Sequence, residues 1–128
     1  MSRACPCHSK LTYDKCCEPY HTGKKLPETP ERLMRSRYCA YALAKVDYLM
    51  ATTASEEREK LDRGDLVAYC KSMACVGLKI LKAEHDEAQG TVLFHASLQH
   101  NGRRVLHKEL SRFRVEDGRW VYVDGDTN

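Results

Sequence analysis

No stretch of these 128 residues carries the run of roughly 18 apolar side chains that a membrane-spanning helix needs, so a helical membrane protein is excluded. There is no internal repeat and no low-complexity tract, which removes solenoids and disordered spacers. An excess of one charge is also missing. The formal net charge is +3, with acidic residues interspersed among the basic ones, so no dense basic stripe exists to neutralise many phosphates. The opening Met1-Ser2-Arg3-Ala4 lacks the apolar segment of a secretory leader, and the expectation is a cytoplasmic chain whose thiols stay reduced. With 42% hydrophobic and 30% charged residues, the chain suits one small globular domain plus a short stapled element.

Cysteine is the exception to this sparseness. Seven are present, and four fall inside Cys5-Pro6-Cys7-His8-Ser9-Lys10-Leu11-Thr12-Tyr13-Asp14-Lys15-Cys16-Cys17. So short a segment buries too little apolar surface to fix its own backbone, and isolated units below roughly 40 residues need a staple. Paired soft thiolates favour zinc, which contributes folding free energy directly when protein fills all four positions. Three other chemistries compete. A disulfide framework wants an oxidising compartment. A thioredoxin-like redox pair wants C-x-x-C at a strand-to-helix junction, whereas here C-x-C is followed by eight residues and an adjacent C-C. An iron–sulfur cluster uses the same ligand type at other spacings. The pattern predicts zinc.

The pattern C-P-C-x-S-x-x-x-Y-x-K-C-C resembles the SEC-C motif, the short zinc-binding element at the C-terminus of the SecA translocation ATPase. Beyond it, Leu33-Met34-Arg35-Ser36-Arg37-Tyr38-Cys39-Ala40, Ser111-Arg112-Phe113 and Trp120-Val121-Tyr122-Val123-Asp124-Gly125 resemble the bacterial YchJ family, so the likeness spans nearly the whole chain. The usual motif reads C-x-C-G-S-G. Here His8 and Lys10 replace both glycines, and if those positions need positive φ the two residues must accept it at a cost or reshape the loop. The resemblance implies Cys5, Cys7, Cys16 and Cys17 as ligands of one structural Zn²⁺. The adjacency of Cys16 and Cys17 allows a shared ion only if the backbone turns there, and His21 or His8 competes with Cys17 for the fourth position. Arg3, Lys10, Lys15, Lys24 and Lys25 are placed to offset the negative charge of a thiolate cluster.

The chain divides into a SEC-C zinc-binding element over residues 1–25 and an α+β domain over 26–128, joined by the polar Thr22–Pro30 stretch. Chelation should then unfold the first while the second stays folded. Thr29, Pro30 and Glu31 predict a helix start, and Leu33, Met34, Arg37, Tyr38, Tyr41, Ala42, Tyr48 and Leu49 keep helical period to about Met50. Tyr38, Tyr41 and Tyr48 form its core-facing stripe. Thr53 with Glu56 fits a capping box, Arg63-Gly64-Asp65 closes that helix, and Asp65 caps a third through Ser72. The period then becomes two. Strands are expected over Val76–Glu84, Thr91–His100, Arg103–Glu116 and Arg119–Asp124, with hairpin signals at Asn101-Gly102 and Asp117-Gly118. The YchJ resemblance implies a curved antiparallel sheet wrapped around the helices, as in nuclear transport factor 2, with room for an extra strand near residues 67–75.

On the third strand Val105, His107, Glu109, Ser111 and Phe113 share one face. A buried Glu109 near His107 or His95 is a candidate general base. The competing expectation, given more weight, is a salt bridge from Glu109 to Arg37 or Arg35 that ties helix to sheet. No catalytic residue is assigned. Trp120 should pack with its indole N–H paired, and Cys39, Cys70 and Cys75 read as small buried hydrophobes. The resulting reading is a zinc-binding protein-interaction module that docks a protein partner through Lys10, Leu11, Tyr13 and Lys15, as the SEC-C element of SecA engages the SecB chaperone and the ribosome. A small-molecule pocket or enzyme in the cone domain, and nucleic-acid or ribosome binding through the basic zinc end, are the alternatives.

Overall fold

A computed structural model of the chain describes residues 3–127; positions 1–2 and 128 of the two expected segments lie outside the described residues. Thr29 opens the main helix with extended backbone, and its Oγ1 accepts the Arg32 N–H at 3.1 Å. Pro30 takes the first helical position, where a missing N–H costs nothing. Helix α2 spans Pro30–Leu43 and so ends before the expected Met50. Ala44 enters the left-handed region at φ 57°, and the Lys45 N–H bonds the Ala40 carbonyl at 2.8 Å. This is a Schellman closure, usually marked by glycine. The chain folds back into α3 (Val46–Ala51), which buries Val46 and Leu49 beside Ala40 and Cys70 in a second core. Tyr48 thus belongs to α3, where its hydroxyl lies 2.7 Å from Ser36 Oγ.

Two expected caps differ. The Thr53 hydroxyl donates to the Leu49 carbonyl at 2.7 Å, and its backbone makes a single parallel bridge to Tyr122, so no capping box forms with Glu56. The short α4 (Ser55–Arg58) follows Ala54 instead, with the Ser55 N–H held by the Glu116 carboxylate at 3.3 Å. Asp62, not Asp65, caps α5 (Arg63–Ser72), accepting the Asp65 N–H at 2.9 Å. An N-cap carboxylate reaches the N–H two or three residues onward, and Asp65 is that donor.

Strands β1 (Met73–His85), β2 (Gln89–His100), β3 (Arg103–Glu116) and β4 (Arg119–Thr127) form an antiparallel meander in that order. Both hairpin signals hold: Asn101-Gly102 and Asp117-Gly118 take φ of 51° and 80°, and of 50° and 79°, as type I′ turns require. The extra strand near 67–75 is absent among the described residues, because α5 runs to Ser72 and β1 starts at Met73. Register shifts between Cys75 and Gly77, and between Ile80 and Lys82, bend β1. A third shift changes β4. Asp124 pairs with Arg112 but Tyr122 pairs with Phe113, leaving Val123 unmatched. Unbroken alternation from Gly125 would have pointed Val123 inward; the bulge turns Tyr122 inward instead.

Helix α2 lies on the inner face of this sheet. Leu33, Met34, Tyr38 and Cys39 pack with Val92, Phe94, Ala96, Phe113 and Trp120 in one core, and Cys5, Cys7, Cys16 and Cys17 belong to that same core. The Trp120 indole N–H donates to the Glu28 carbonyl at 3.2 Å, the partner its burial calls for. Among the described residues, no helix is long and apolar enough to cross a membrane.

Candidate functional site

Backbone geometry brings the four motif cysteines together. The Cys5 N–H bonds the Leu11 carbonyl at 2.8 Å and Ala4 bridges Thr12, which closes the first loop. Inside it His8 and Lys10 take φ of 63° and 75°, so the residues that replace the motif glycines adopt the glycine conformation. Each such residue costs of order 1 kcal/mol. A 3₁₀ turn at Tyr13–Lys15 delivers Cys16, and Cys17, at φ −88° and ψ −22°, starts α1 (Glu18–His21). The chain therefore turns between the adjacent cysteines, as a shared ion demands. All four Sγ atoms are buried and lie within 4.8 Å of one another, with Cys7–Cys16 at 3.6 Å and Cys16–Cys17 at 3.9 Å. Tetrahedral Zn–S bonds of about 2.3 Å need sulfurs roughly 3.8 Å apart, so the donor set fits a closed metal site.

The counter-charge comes from α2 rather than from the lysines. Arg32 Nη2 donates to Cys16 Sγ at 3.2 Å and to Cys17 Sγ at 3.1 Å, and Arg35 Nη1 donates to the Cys7 carbonyl at 3.1 Å. Burial works against the charge on Arg32, but Cys17 and Cys16 more than offset it and raise its pKa. Burial likewise pushes the Cys16 thiol up, while Ser9 and Arg32 pull against it. Lys10, Lys15, Lys24 and Lys25 are exposed, and Arg3 lies over the Tyr13 ring at 5.5 Å. Cys39 and Cys70 are the buried small residues expected, although Cys39 Sγ comes within 3.9 Å of Cys5 Sγ. Cys75 is only half-buried.

Neither histidine joins the sulfur group. His21 Nε2 lies 2.8 Å from the Ser36 carbonyl and Nδ1 lies 2.7 Å from the Tyr13 hydroxyl. The carbonyl can only accept, so Nε2 carries the proton and Nδ1 accepts from Tyr13. Exposed His8 meets Tyr38 edge-on, with ring centroids 5.8 Å apart. Burial lowers the His21 pKa from its ordinary 6.5, with the Ser36 carbonyl acting the other way. As pH falls through about 6.5 the unfolded chain gains a proton before the folded chain does, so this stability is present above that pH and is lost toward the depressed folded value. The urea midpoint should drop between about pH 7.5 and pH 5.5, and drop less in His21→Gln; equal drops would remove His21 as the cause.

A second polar cluster lies across the core. A cavity of about 380 Å³ opens between α2 and the sheet, and His107, Glu109, Ser111 and Phe113 line it from β3, as strand alternation predicted. Glu109 makes no ion pair with Arg35 or Arg37, which corrects the favoured expectation. Its Oε1 accepts from His107 Nε2 at 2.9 Å, and its Oε2 accepts from Ser111 Oγ at 2.5 Å and the Tyr122 hydroxyl at 2.9 Å. Arg35 pairs with Glu31 at 3.4 Å. Arg37 Nη1 donates to the Leu49 carbonyl at 3.0 Å and to the Thr52 and Thr53 hydroxyls at 2.8 and 3.3 Å. The break at Ala44 explains this, because it carries the end of α3 back under Arg37 and supplies acceptors that a continuous helix would have carried away. Gly125, opposite Ser111, leaves room for the carboxylate; a Cβ there would overlap it. His95, opposite Lys79, is not among the cavity-lining residues. Tyr122, which sequence reasoning missed, reaches the cluster only through the β4 bulge.

Comparison with known proteins agrees with both halves of this architecture. The family model described as "YchJ, middle NTF2-like domain" matches residues 29–125, and the SEC-C motif model matches residues 1–19. A UPF0225 protein of Actinobacillus succinogenes is 40% identical over 126 residues, covering 97% of this chain and 82% of the relative. The solution structure of a SEC-C motif containing protein from Rhodopseudomonas palustris matches with a TM-score of 0.90 at 36% identity, covering 100% of this chain and 99% of that one. An LEH-like epoxide hydrolase from M. tuberculosis, with a TM-score of 0.58 at 19% identity over 80% of this chain and 86% of its own, shares the fold alone. The four-stranded sheet, the helices against it and the N-terminal cysteine cluster are thus the α+β, NTF2-like arrangement that those matches describe, and the chain belongs to the YchJ (UPF0225) family.

Proposed function

We propose that Cys5, Cys7, Cys16 and Cys17 hold one structural Zn²⁺ that fastens the N-terminal element to α2, and that the protein is a cytoplasmic interaction module for a protein partner. The observation that carries this is the set of four buried, mutually close Sγ atoms with two Arg32 hydrogen bonds on it. Four sulfur ligands leave no open coordination position, so the ion holds structure and does not react. The docking face is narrower than the sequence suggested. Tyr13 is buried against His21, whereas Lys10, Leu11 and Lys15 are exposed and suit an acidic partner surface with an apolar contact.

Metal analysis of the purified protein should return one zinc per chain, and Cys17→Ser should lose it. Lys10→Glu with Lys15→Glu should keep the zinc and weaken partner capture about tenfold, a change of about 1.4 kcal/mol. Zinc-free native protein sinks the metal reading, and unchanged capture by the double variant sinks the docking face. Capture of nucleic acid with steep salt dependence would replace the protein partner with phosphate contacts.

A further inference from the structure

The cavity on the far side of α2 is separate from the cysteine cluster. Its lining is mainly apolar, with Met34, Tyr38, Phe94, Leu98 and Phe113 part of it; Arg37 lines it from α2, and Glu109 enters from β3 with its side chain only 12% exposed. A pocket of about 380 Å³ with a few convergent polar groups has the size and composition of a small-molecule site. We propose that it binds a neutral, mainly apolar small molecule that donates one hydrogen bond to Glu109 Oε1.

The donor count on the carboxylate sets this chemistry. A carboxylate offers about four lone-pair positions. His107 Nε2 occupies one on Oε1, and Ser111 Oγ and the Tyr122 hydroxyl occupy both on Oε2, so the open acceptor position is on Oε1. Three side chains and the gap left by Gly125 therefore hold the carboxylate in place before a ligand arrives. Glu109 and Arg37 both line the cavity, so a charged ligand of either sign gains one attraction, meets one repulsion and still loses its hydration in an apolar enclosure; the Arg37 guanidinium lies 4.7 Å from the centroid of the Tyr122 ring, whose hydroxyl donates to Glu109. A hydroxyl or secondary amine on an apolar body meets neither cost.

Phenylnaphthylamine, a neutral aromatic amine with a single N–H, and anilinonaphthalene sulfonate, which adds an anionic group to the same body, are suitable probes. Titrated into the intact 128-residue chain and followed by amide chemical shifts, phenylnaphthylamine should saturate and move signals of β2, β3 and Tyr122 around the cavity. The sulfonate should bind at least about tenfold more weakly, about 1.4 kcal/mol. Glu109→Gln should weaken phenylnaphthylamine several-fold and narrow the difference between the two probes. Ala96→Trp fills the cavity from β2 and should abolish binding; Leu98→Trp does the same nearer its rim should the first variant fail to fold. Shifts confined to the exposed Leu81, Val105 and Leu106, equal affinity for both probes, or binding indifferent to Glu109→Gln would overturn the proposal.

Discussion

If the cysteine cluster holds the proposed ion, chelation is expected to lower the thermal midpoint of the entire chain by at least about 10 °C, in one transition, rather than to release residues 1–25 alone. The physical reason is shared burial. Cys5, Cys7, Cys16 and Cys17 pack in the same core as Leu33, Tyr38, Phe94 and Trp120. Loss of the ion leaves four thiols crowded within 4.8 Å of one another and an Arg32 guanidinium aimed at sulfurs that no longer carry thiolate charge. Loss of a structural metal belongs to the changes that destabilise by more than about 4 kcal/mol. The Arg35 bond to the Cys7 carbonyl and the Tyr20 hydroxyl bond to Glu28 at 2.7 Å then lose the fixed geometry that supports them. Calorimetry with and without chelator checks the midpoint, and amide shifts of β2 and β3 check its extent. A sheet spectrum unchanged on chelation would mean that α2 and the strands hold their packing without the cluster.

Arg37→Met should destabilise the fold by about 3 kcal/mol or more. Arg37 is buried, and its Nη1 gathers the Leu49 carbonyl and the Thr52 and Thr53 hydroxyls while the guanidinium stacks on Tyr122. Hydrogen bonds from a charged donor are each worth about 1.5–3 kcal/mol, and removing the donor leaves the Thr52 and Thr53 hydroxyl oxygens without it, while the Leu49 carbonyl keeps the Thr53 hydroxyl at 2.7 Å. Arg37→Lys should recover part of the loss, because one ammonium can satisfy one or two of those oxygens but cannot stack in the same way. Urea titration of the three proteins measures this. A loss below about 1 kcal/mol for Arg37→Met would show that water satisfies these acceptors.

The fold was legible wherever a local signal and the global arrangement agreed. The Thr29 cap, the hairpin turns at Asn101-Gly102 and Asp117-Gly118, and the shared face of His107, Glu109 and Ser111 each follow from short-range chemistry in the order of residues. The misses fall where the local signal was weak or duplicated. Ala44 closes α2 in a conformation usually marked by glycine, Asp62 rather than Asp65 caps α5, and the β4 bulge at Val123 leaves no residue-type signature. At Ala44 and Val123 tertiary packing selected a backbone state that the local residues merely tolerate, whereas at α5 two aspartates three residues apart both fit a cap and the earlier one takes it.

By itself, therefore, the sequence determined the cysteine-rich motif, the change from helical to strand period and the inward face of β3, because these depend on spacing along the chain. Only the tertiary structure decided which cations serve the sulfurs and which groups surround Glu109. Arg32 reaches Cys17 across 15 positions and Tyr122 reaches Glu109 across 13, and such pairings depend on how α2 sits on the sheet and on one unmatched residue in β4. That placement is settled by burial of the common core, a collective term to which no short stretch of residues corresponds.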